Sequence, residues 1–507
     1  MTPAGSAEGG GSQGPRHPRH RRRTRHAGET GAKPDSRRGA IAWKRPWPKT
    51  RRQGRAVRGE AQRSHTMPEH PTHAFGRRGL ALLAAAAFGG GAGMAGAYLA
   101  TGQAAAAGQA AEPGFDPGGD LVARWSLAAY QAIKAKDGYR DPLAASRILA
   151  MMHLAMHDAV NAAAPRFATH LPLSAVQGAD PAVAASAAAH GVLRALCPGQ
   201  REALAFEAEK TMLEAGRGEA VARGRLLGET VAATMLVSRA GDGADRVERY
   251  GPMNHVGAYR YTPGYDFLFA PQWRSVRPFA LLRPAQFRTA PPTSVESAAY
   301  ARAFAEVKRI GGKDSADRTE DQTHAAHFWY EFSDIGWNRV ARVAAREHAL
   351  DLWDAARLFA LVNMALADGY IAGWDSKIHH DFWRPVTAIR MAAQDFNPET
   401  SPDPAWEPLL PTPPVQDHPS THATLGAAAA AVMAELLGDA TPFALASTTA
   451  LPENPVRRFQ GFAAAARENA ESRIAAGLHF RFACDAGLEL GRRIGRYAVA
   501  NHLRPVE

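Results

Sequence analysis

KIHHDFWRP at residues 377–385, PSTH at 419–422 and SRIAAGLH at 472–479 lie in the last third of a 507-residue chain, and the rest of the sequence is best read outward from them. Together they contain three cations (Lys377, Arg384 and Arg473), the hydroxyl of Ser420 and the imidazoles of His422 and His479. Lysine and arginine neutralise a tetrahedral oxyanion, and arginine adds a planar fork of donors matched to two of its oxygens. One imidazole is then available to attack or ligate the central atom while the other moves a proton. Ser420 stands where a helix should begin, since an Ala-rich run follows it. The N–H groups of Thr421 and His422 would then point outward, as anion-binding helix N-termini do. In isolation Ser420 would be an ordinary N-cap, and Lys377 and Arg384 solvated charges at a helix end. Their joint presence makes an oxyanion site of them.

The order K-x6-R-P, P-S-x-H, S-R-x5-H resembles the signature shared by vanadium-dependent haloperoxidases and the acid phosphatases of the type 2 phosphatidic acid phosphatase superfamily. FWRPVTAIR at 382–390, W-x-PLLPTPP at 406–414, HFRF at 479–482 and AGLELGRRIG at 486–495 are similar to the bacterial haloperoxidase-like branch. The similarity reaches back through SRILAMMHLAMHDAVNA at 146–162 to about Leu121. It implies an all-α helical-bundle fold, two packed bundles, with vanadate as cofactor. His479 is the implied vanadate ligand or nucleophile and His422 the proton shuttle. Lys377, Arg384, Ser420, Thr421 and Arg473 are the implied oxyanion-binding groups, with Lys377 also catalytic. The implied reaction oxidises halide with hydrogen peroxide and passes the product to a small organic acceptor. The alternative is a phosphomonoesterase that binds phosphate in the same cradle and works through a phosphohistidine. Thr421 replaces the glycine common in P-S-G-H forms, and Val415 stands where chloride oxidisers carry an aromatic residue. Ala483 lacks the acid common in membrane-type phosphatases.

The net charge of +11 suggests nucleic acid or an anionic surface until its position is considered. Residues 1–66 hold 17 Lys and Arg against four acids, so the remainder of the chain carries −2. The expectation is a disordered basic tail at 1–66, arising from an overextended start and binding no nucleic acid. At 67–111, Arg77-Arg78, an apolar run over 80–100 and small residues beyond it form a twin-arginine-type export signal. The catalytic domain is expected over 112–507, secreted or periplasmic, without a permanent membrane anchor, as a monomer or a homo-oligomer. Two cysteines, Cys197 and Cys484, make no disulfide framework; they either pair or are buried singly.

Apolar residues recur at three- and four-residue spacing over about 121–136, 142–163, 180–197, 200–216, 218–239, 294–310, 318–334, 338–346, 349–373, 420–437, 456–475 and 485–502. Thr293-x-x-Glu296 and Asp317-x-x-Glu320 read as capping boxes, and Gly438 as a C-terminal stop. Residues 240–293, rich in proline and aromatics, form a long loop: either an aromatic wall over the site or a packed excursion across helix ends. His153 and His157 have zinc-like i,i+4 spacing, though a satisfied core is the plainer reading.

Overall fold

The computed structural model of the chain describes residues 117–506, so the expected tail, export signal and residues 112–116 lie outside it. The described residues form thirteen α-helices and one short hairpin, the expected all-α class. The first five are α1 (Pro117–Asp137), α2 (Pro142–Ala163), α3 (Pro181–Leu196), α4 (Arg201–Ala215) and α5 (Glu219–Ser238). After the long loop come α6 (Ala298–Ile310), α7 (Glu320–Phe328), α8 (Ser333–Glu347), α9 (Leu352–His380) and α10 (Pro385–Arg390). The chain ends with α11 (Thr421–Leu437), strands β1 (Phe443–Ala446) and β2 (Val456–Phe459), α12 (Phe462–Ala475) and α13 (Arg481–Asn501).

Local chemistry sets many of the boundaries. The Asp141 carboxylate accepts from the N–H groups of Leu143 and Ala144, and Pro142 occupies the first turn of α2, where its missing donor costs nothing. Two expected capping boxes are displaced. Ser297, not Thr293, caps α6 by accepting from Tyr300 N; the box at α7 is Thr319 with Gln322, because Asp317 N is held by Ser315 in the preceding turn. Gly438 ends α11 with φ +85° as expected. The helix expected from residue 456 starts at Phe462, because residues 456–459 pair antiparallel with β1, Phe443 opposite Phe459. Expected as part of a single helix, 318–334 is two, broken after Phe328.

Helix α9 is the axis of the molecule. It packs on α2 of the first bundle and on α11 and α13 of the second. It is long and apolar enough to cross a membrane, but its apolar window is 94% buried by protein, the condition of a core helix. The second bundle closes through a glycine stripe on α13. A Cβ on Gly487, Gly491 or Gly495 would lie 2.6, 2.1 or 2.4 Å from the carbonyl oxygens of Ser420, Thr424 and Ala428. Only glycine lets the two backbones approach so closely, and this fixes the N-terminus of α11 against α13.

The 240–293 segment is a packed strap, with Tyr259, Trp273, Phe279 and Leu281 in the core. The Asp368 carboxylate, buried on α9, accepts from the N–H groups of Phe279, Ala280 and Leu281 at 2.6–2.8 Å and clasps the strap to the helix. Cys197 and Cys484 are buried and unpaired. Among the described residues no group of three or more His, Cys, Asp and Glu is arranged to hold a metal ion, so the zinc reading of His153 and His157 fails. His153 stacks on Phe359 instead, and His157 Nδ1 lies 3.2 Å from the carboxylate of Asp158.

Candidate functional site

The three segments converge. Lys377 sits in the last turn of α9, which runs to His380, well past the expected end at 373. Asp381 then caps the helix in the left-handed conformation (φ +48°) and turns the chain toward Arg384. As Pro385 requires, Arg384 is extended (φ −83°, ψ 156°) at the start of the short α10, a helix not anticipated from the sequence. Asp381 also accepts from Tyr250 Oη at 2.6 Å and Gln416 Nε2 at 3.0 Å, joining turn, strap and the 415–418 loop. His380 and His418 brace the same junction by bonding the carbonyls of Thr289 and Ala290.

Lys377 and Arg384 are fully buried, with relative exposures of 0% and 1%. Lys377 Nζ donates to the carbonyls of Gln416 (2.6 Å) and Asp417 (3.2 Å). Arg384 donates to the carbonyls of Val415 (2.7 Å) and Leu478 (2.8 Å), and its Nη1 lies 2.9 Å from His479 Nε2 and 3.3 Å from Nδ1. Arg473, in the last turn of α12, donates to Ser472 Oγ and the carbonyl of Ala326. Gly477, at φ +76°, closes against Gly311 and releases His479 into the loop before α13, as its position in the sequence indicated.

Ser420 is the N-cap of α11 by position, but its hydroxyl makes no capping bond. That Oγ is wholly buried and has no hydrogen-bond partner. A buried hydroxyl without a partner costs free energy. It lies beside a helix N-terminus whose first N–H groups have no intrahelical acceptor. Thr421 and His422, the first two residues of α11, are the partly exposed members of the set. His422 Nε2 lies 3.1 Å from the carbonyl of Glu331, which makes Nε2 the protonated nitrogen.

The electrostatics fit a binding site for an anion. Burial pushes Lys377 well below its ordinary range, helped by Arg384; burial also lowers Arg384. Both catalytic imidazole candidates are driven well down, first by burial and then by cations: Arg473 leads for His422 and Arg384 for His479. Neutral imidazoles facing buried cations present lone pairs, the form needed to ligate or accept a proton. The one acid in the cluster is Asp417, raised to about 7 by burial against the pull of Arg384 and Lys377. Sequence reasoning passed over Asp417 and the Glu331 carbonyl. A lone acid inside PVQDHPSTH was a visible signal; a backbone carbonyl leaves none.

The fit to an oxyanion such as vanadate rests on this donor set: three buried cations, an orphaned hydroxyl and a helix N-terminus around an imidazole nitrogen. His479 would ligate the central atom; Lys377, Arg384, Arg473, Ser420 and the N–H groups of α11 would hold the oxygens.

Residues 357–507 match the family described as the VCPO second helical-bundle domain. Over 85 residues, 15% of this chain, the sequence is 40% identical to vanadium chloroperoxidase of Curvularia inaequalis; the match spans 13% of that enzyme's length. The crystal structure of a bacterial vanadium-dependent iodoperoxidase superposes with a TM-score of 0.66 at 24% identity, covering 78% of this chain and 99% of that one. A holo-type bacterial vanadium-dependent chloroperoxidase gives 0.59 at 18% identity, covering 71% and 91%. The two solved structures share the fold of this chain, and the matched second bundle is the one that carries Lys377, Arg384, His422, Arg473 and His479. The chain thus shares the fold of bacterial vanadium-dependent haloperoxidases, and its residues 357–507 are similar to the second helical-bundle domain of the VCPO family.

Proposed function

We propose that the protein is a vanadate-dependent haloperoxidase that oxidises halide with hydrogen peroxide, His479 holding the vanadate. The observation that carries this reading is the buried Ser420 hydroxyl without a partner, set among three buried cations at a helix N-terminus. Such a donor set matches a polyoxygenated anion. Vanadate, when bound, supplies an electrophilic centre at which hydrogen peroxide becomes a two-electron oxidant. Lys377 and Arg384 are held by carbonyls, so their positive charge is fixed in place and neutralises the anion without reorganising. His422, tied by Nε2 to Glu331, is left with Nδ1 to take and return the peroxide proton. The similarity of residues 357–507 to the VCPO second helical-bundle domain favours this reading over phosphate-ester hydrolysis.

The test is halogenation of monochlorodimedone with iodide, bromide and chloride in parallel, with peroxide, with and without vanadate, beside hydrolysis of p-nitrophenyl phosphate. Vanadate-dependent halogenation that phosphate suppresses is expected. Phosphate release blocked by vanadate, with no halogenation of any kind, overturns the reading.

A further inference from the structure

We propose that Asp417 is the positioning residue of His479: its carboxylate, 2.8 Å from imidazole Nδ1, takes the Nδ1–H when an oxyanion binds and thereby presents the Nε2 lone pair to the oxyanion's central atom. This rests on the reading of His479 as that atom's ligand. Arginine has donors and no acceptor, so the ring nitrogen 2.9 Å from Arg384 Nη1 has to accept; Nε2 is unprotonated. In a neutral imidazole the proton is then on Nδ1. Asp417 Oδ1 lies 2.8 Å from that atom, closer than Arg384 at 3.3 Å. The reverse arrangement, a carboxylic acid donating to Nδ1, would put the proton on Nε2 and set two donors face to face.

The rest of the loop holds the carboxylate there. Asp417 N donates to the carbonyl of Phe382 at 3.0 Å, and its own carbonyl accepts from Lys377. Its neighbours are committed elsewhere, Gln416 to Asp381 and His418 to Ala290. The carboxylate is fully buried, 4.0 Å from Arg384, and neither oxygen has an aligned hydrogen bond, the close contact to His479 Nδ1 included, so a small turn of the ring gives Oδ1 the Nδ1–H. Metal-ligating histidines generally give their second N–H to such a group, which fixes tautomer and ring orientation.

A bystander role makes the opposite prediction. An acid that only offsets the cations would weaken every anion alike, and its removal would tighten them all. Vanadate and phosphate dissociation constants should be measured for the intact protein and for Asp417→Ala, Asp417→Asn and His479→Ala. Asp417→Ala is expected to weaken vanadate by about 10–100-fold, Asp417→Asn to recover most of the loss through its amide oxygen, and phosphate, which needs no ligating nitrogen, to bind at least as well in both. Vanadate affinity equal to or tighter than the parent's in Asp417→Ala overturns the inference. If His479→Ala keeps the parent's vanadate affinity, the reading of His479 fails first and takes this inference with it. Imidazole 15N shifts of the parent protein need no variant: Nδ1 protonated and Nε2 bare is expected, and the reverse tautomer overturns the inference.

Discussion

The glycine stripe on α13 offers a way to move the cradle without touching it. In Gly487→Ala the new Cβ would sit 2.6 Å from the Ser420 carbonyl and 2.9 Å from Ala423 Cβ; in Gly495→Ala it would sit 2.4 Å from the Ala428 carbonyl and 2.8 Å from Ala431 Cβ. A comfortable carbon–oxygen approach is roughly 3.3–3.6 Å, so each substitution asks the helices to part by about 1 Å. Neighbouring backbone cannot rotate away as a side chain could. Overpacking of this kind costs about 1–3 kcal/mol, less about 1 kcal/mol for alanine's better helix propensity. The net loss is about 0–2 kcal/mol in both variants. With an unfolding entropy of about 2.1 cal/mol/K per residue, the roughly 390 described residues should lose at most about 2.5 °C in Tm. Function should separate them. Gly487 bears on the residue whose hydroxyl and following N–H groups belong to the proposed cradle, and Gly495 is two turns, about 12 Å, further along. A displacement near 1 Å at a site costs up to about 100-fold. Calorimetry together with vanadate and phosphate binding is the assay: Gly487→Ala should bind both anions about 10–100-fold more weakly, Gly495→Ala within about 3-fold of the parent. Equal losses in the two variants, or parental binding by a destabilised Gly487→Ala, would refute the reasoning.

Three further outcomes are expected. Asp368→Ala leaves three buried N–H groups of the strap without an acceptor and should cost about 3 kcal/mol, or roughly 4 °C in Tm, with the 279–281 amides losing hydrogen-exchange protection; unchanged protection contradicts the clasp. His153 is pushed down to about 3 by burial, and neither ring nitrogen has a partner. An unfolded histidine takes its proton near 6.5. His153 therefore contributes stability in full above pH 6.5 and loses it as the pH falls toward 3. From pH 7 to 5 the parent should lose about 2 kcal/mol more than His153→Leu, measured by urea unfolding; parallel losses would refute the burial argument. Phosphate or vanadate at 100 times its dissociation constant should raise Tm by about 3 °C through mass action, and an Arg384→Ala protein that shows the same rise would remove Arg384 from the anion's contacts.

How far the sequence could be read depended on where each instruction is written. Helix α2 is found at its expected limits because its apolar spacing, Asp141 cap and Pro142 all lie in adjacent residues. Helix α9 outruns its expected end because the final turn, with Lys377, is held by carbonyls of residues 416 and 417 and not by apolar periodicity. The hairpin was missed for a similar reason: β1 and β2 are four residues each and depend on pairing with one another. Motif spacing brought out Lys377, Arg384, Ser420, Thr421, His422, Arg473 and His479. It could not tell that the Ser420 hydroxyl declines to cap its helix, because cap and orphan have the same sequence. Nor could it find the partner of His422, which is a main-chain oxygen. Of the two ideas for the 240–293 strap, the packed excursion is the one observed: Tyr259, Trp273 and Phe279 are buried, and the Thr289 and Ala290 carbonyls bond His380 and His418.

Helix α9 has one more implication, for how this architecture can be divided. The matched second-bundle segment begins at residue 357, inside a helix that starts at Leu352 and whose opposite face lies against α2. A recombinant fragment cut at that boundary would carry the cationic cradle intact in sequence. It would also expose Phe359, which in the whole protein is 0% accessible and stacks on His153 of α2, and would be expected to aggregate. The limit at which sequence resemblance becomes recognisable is therefore not a seam along which the protein comes apart.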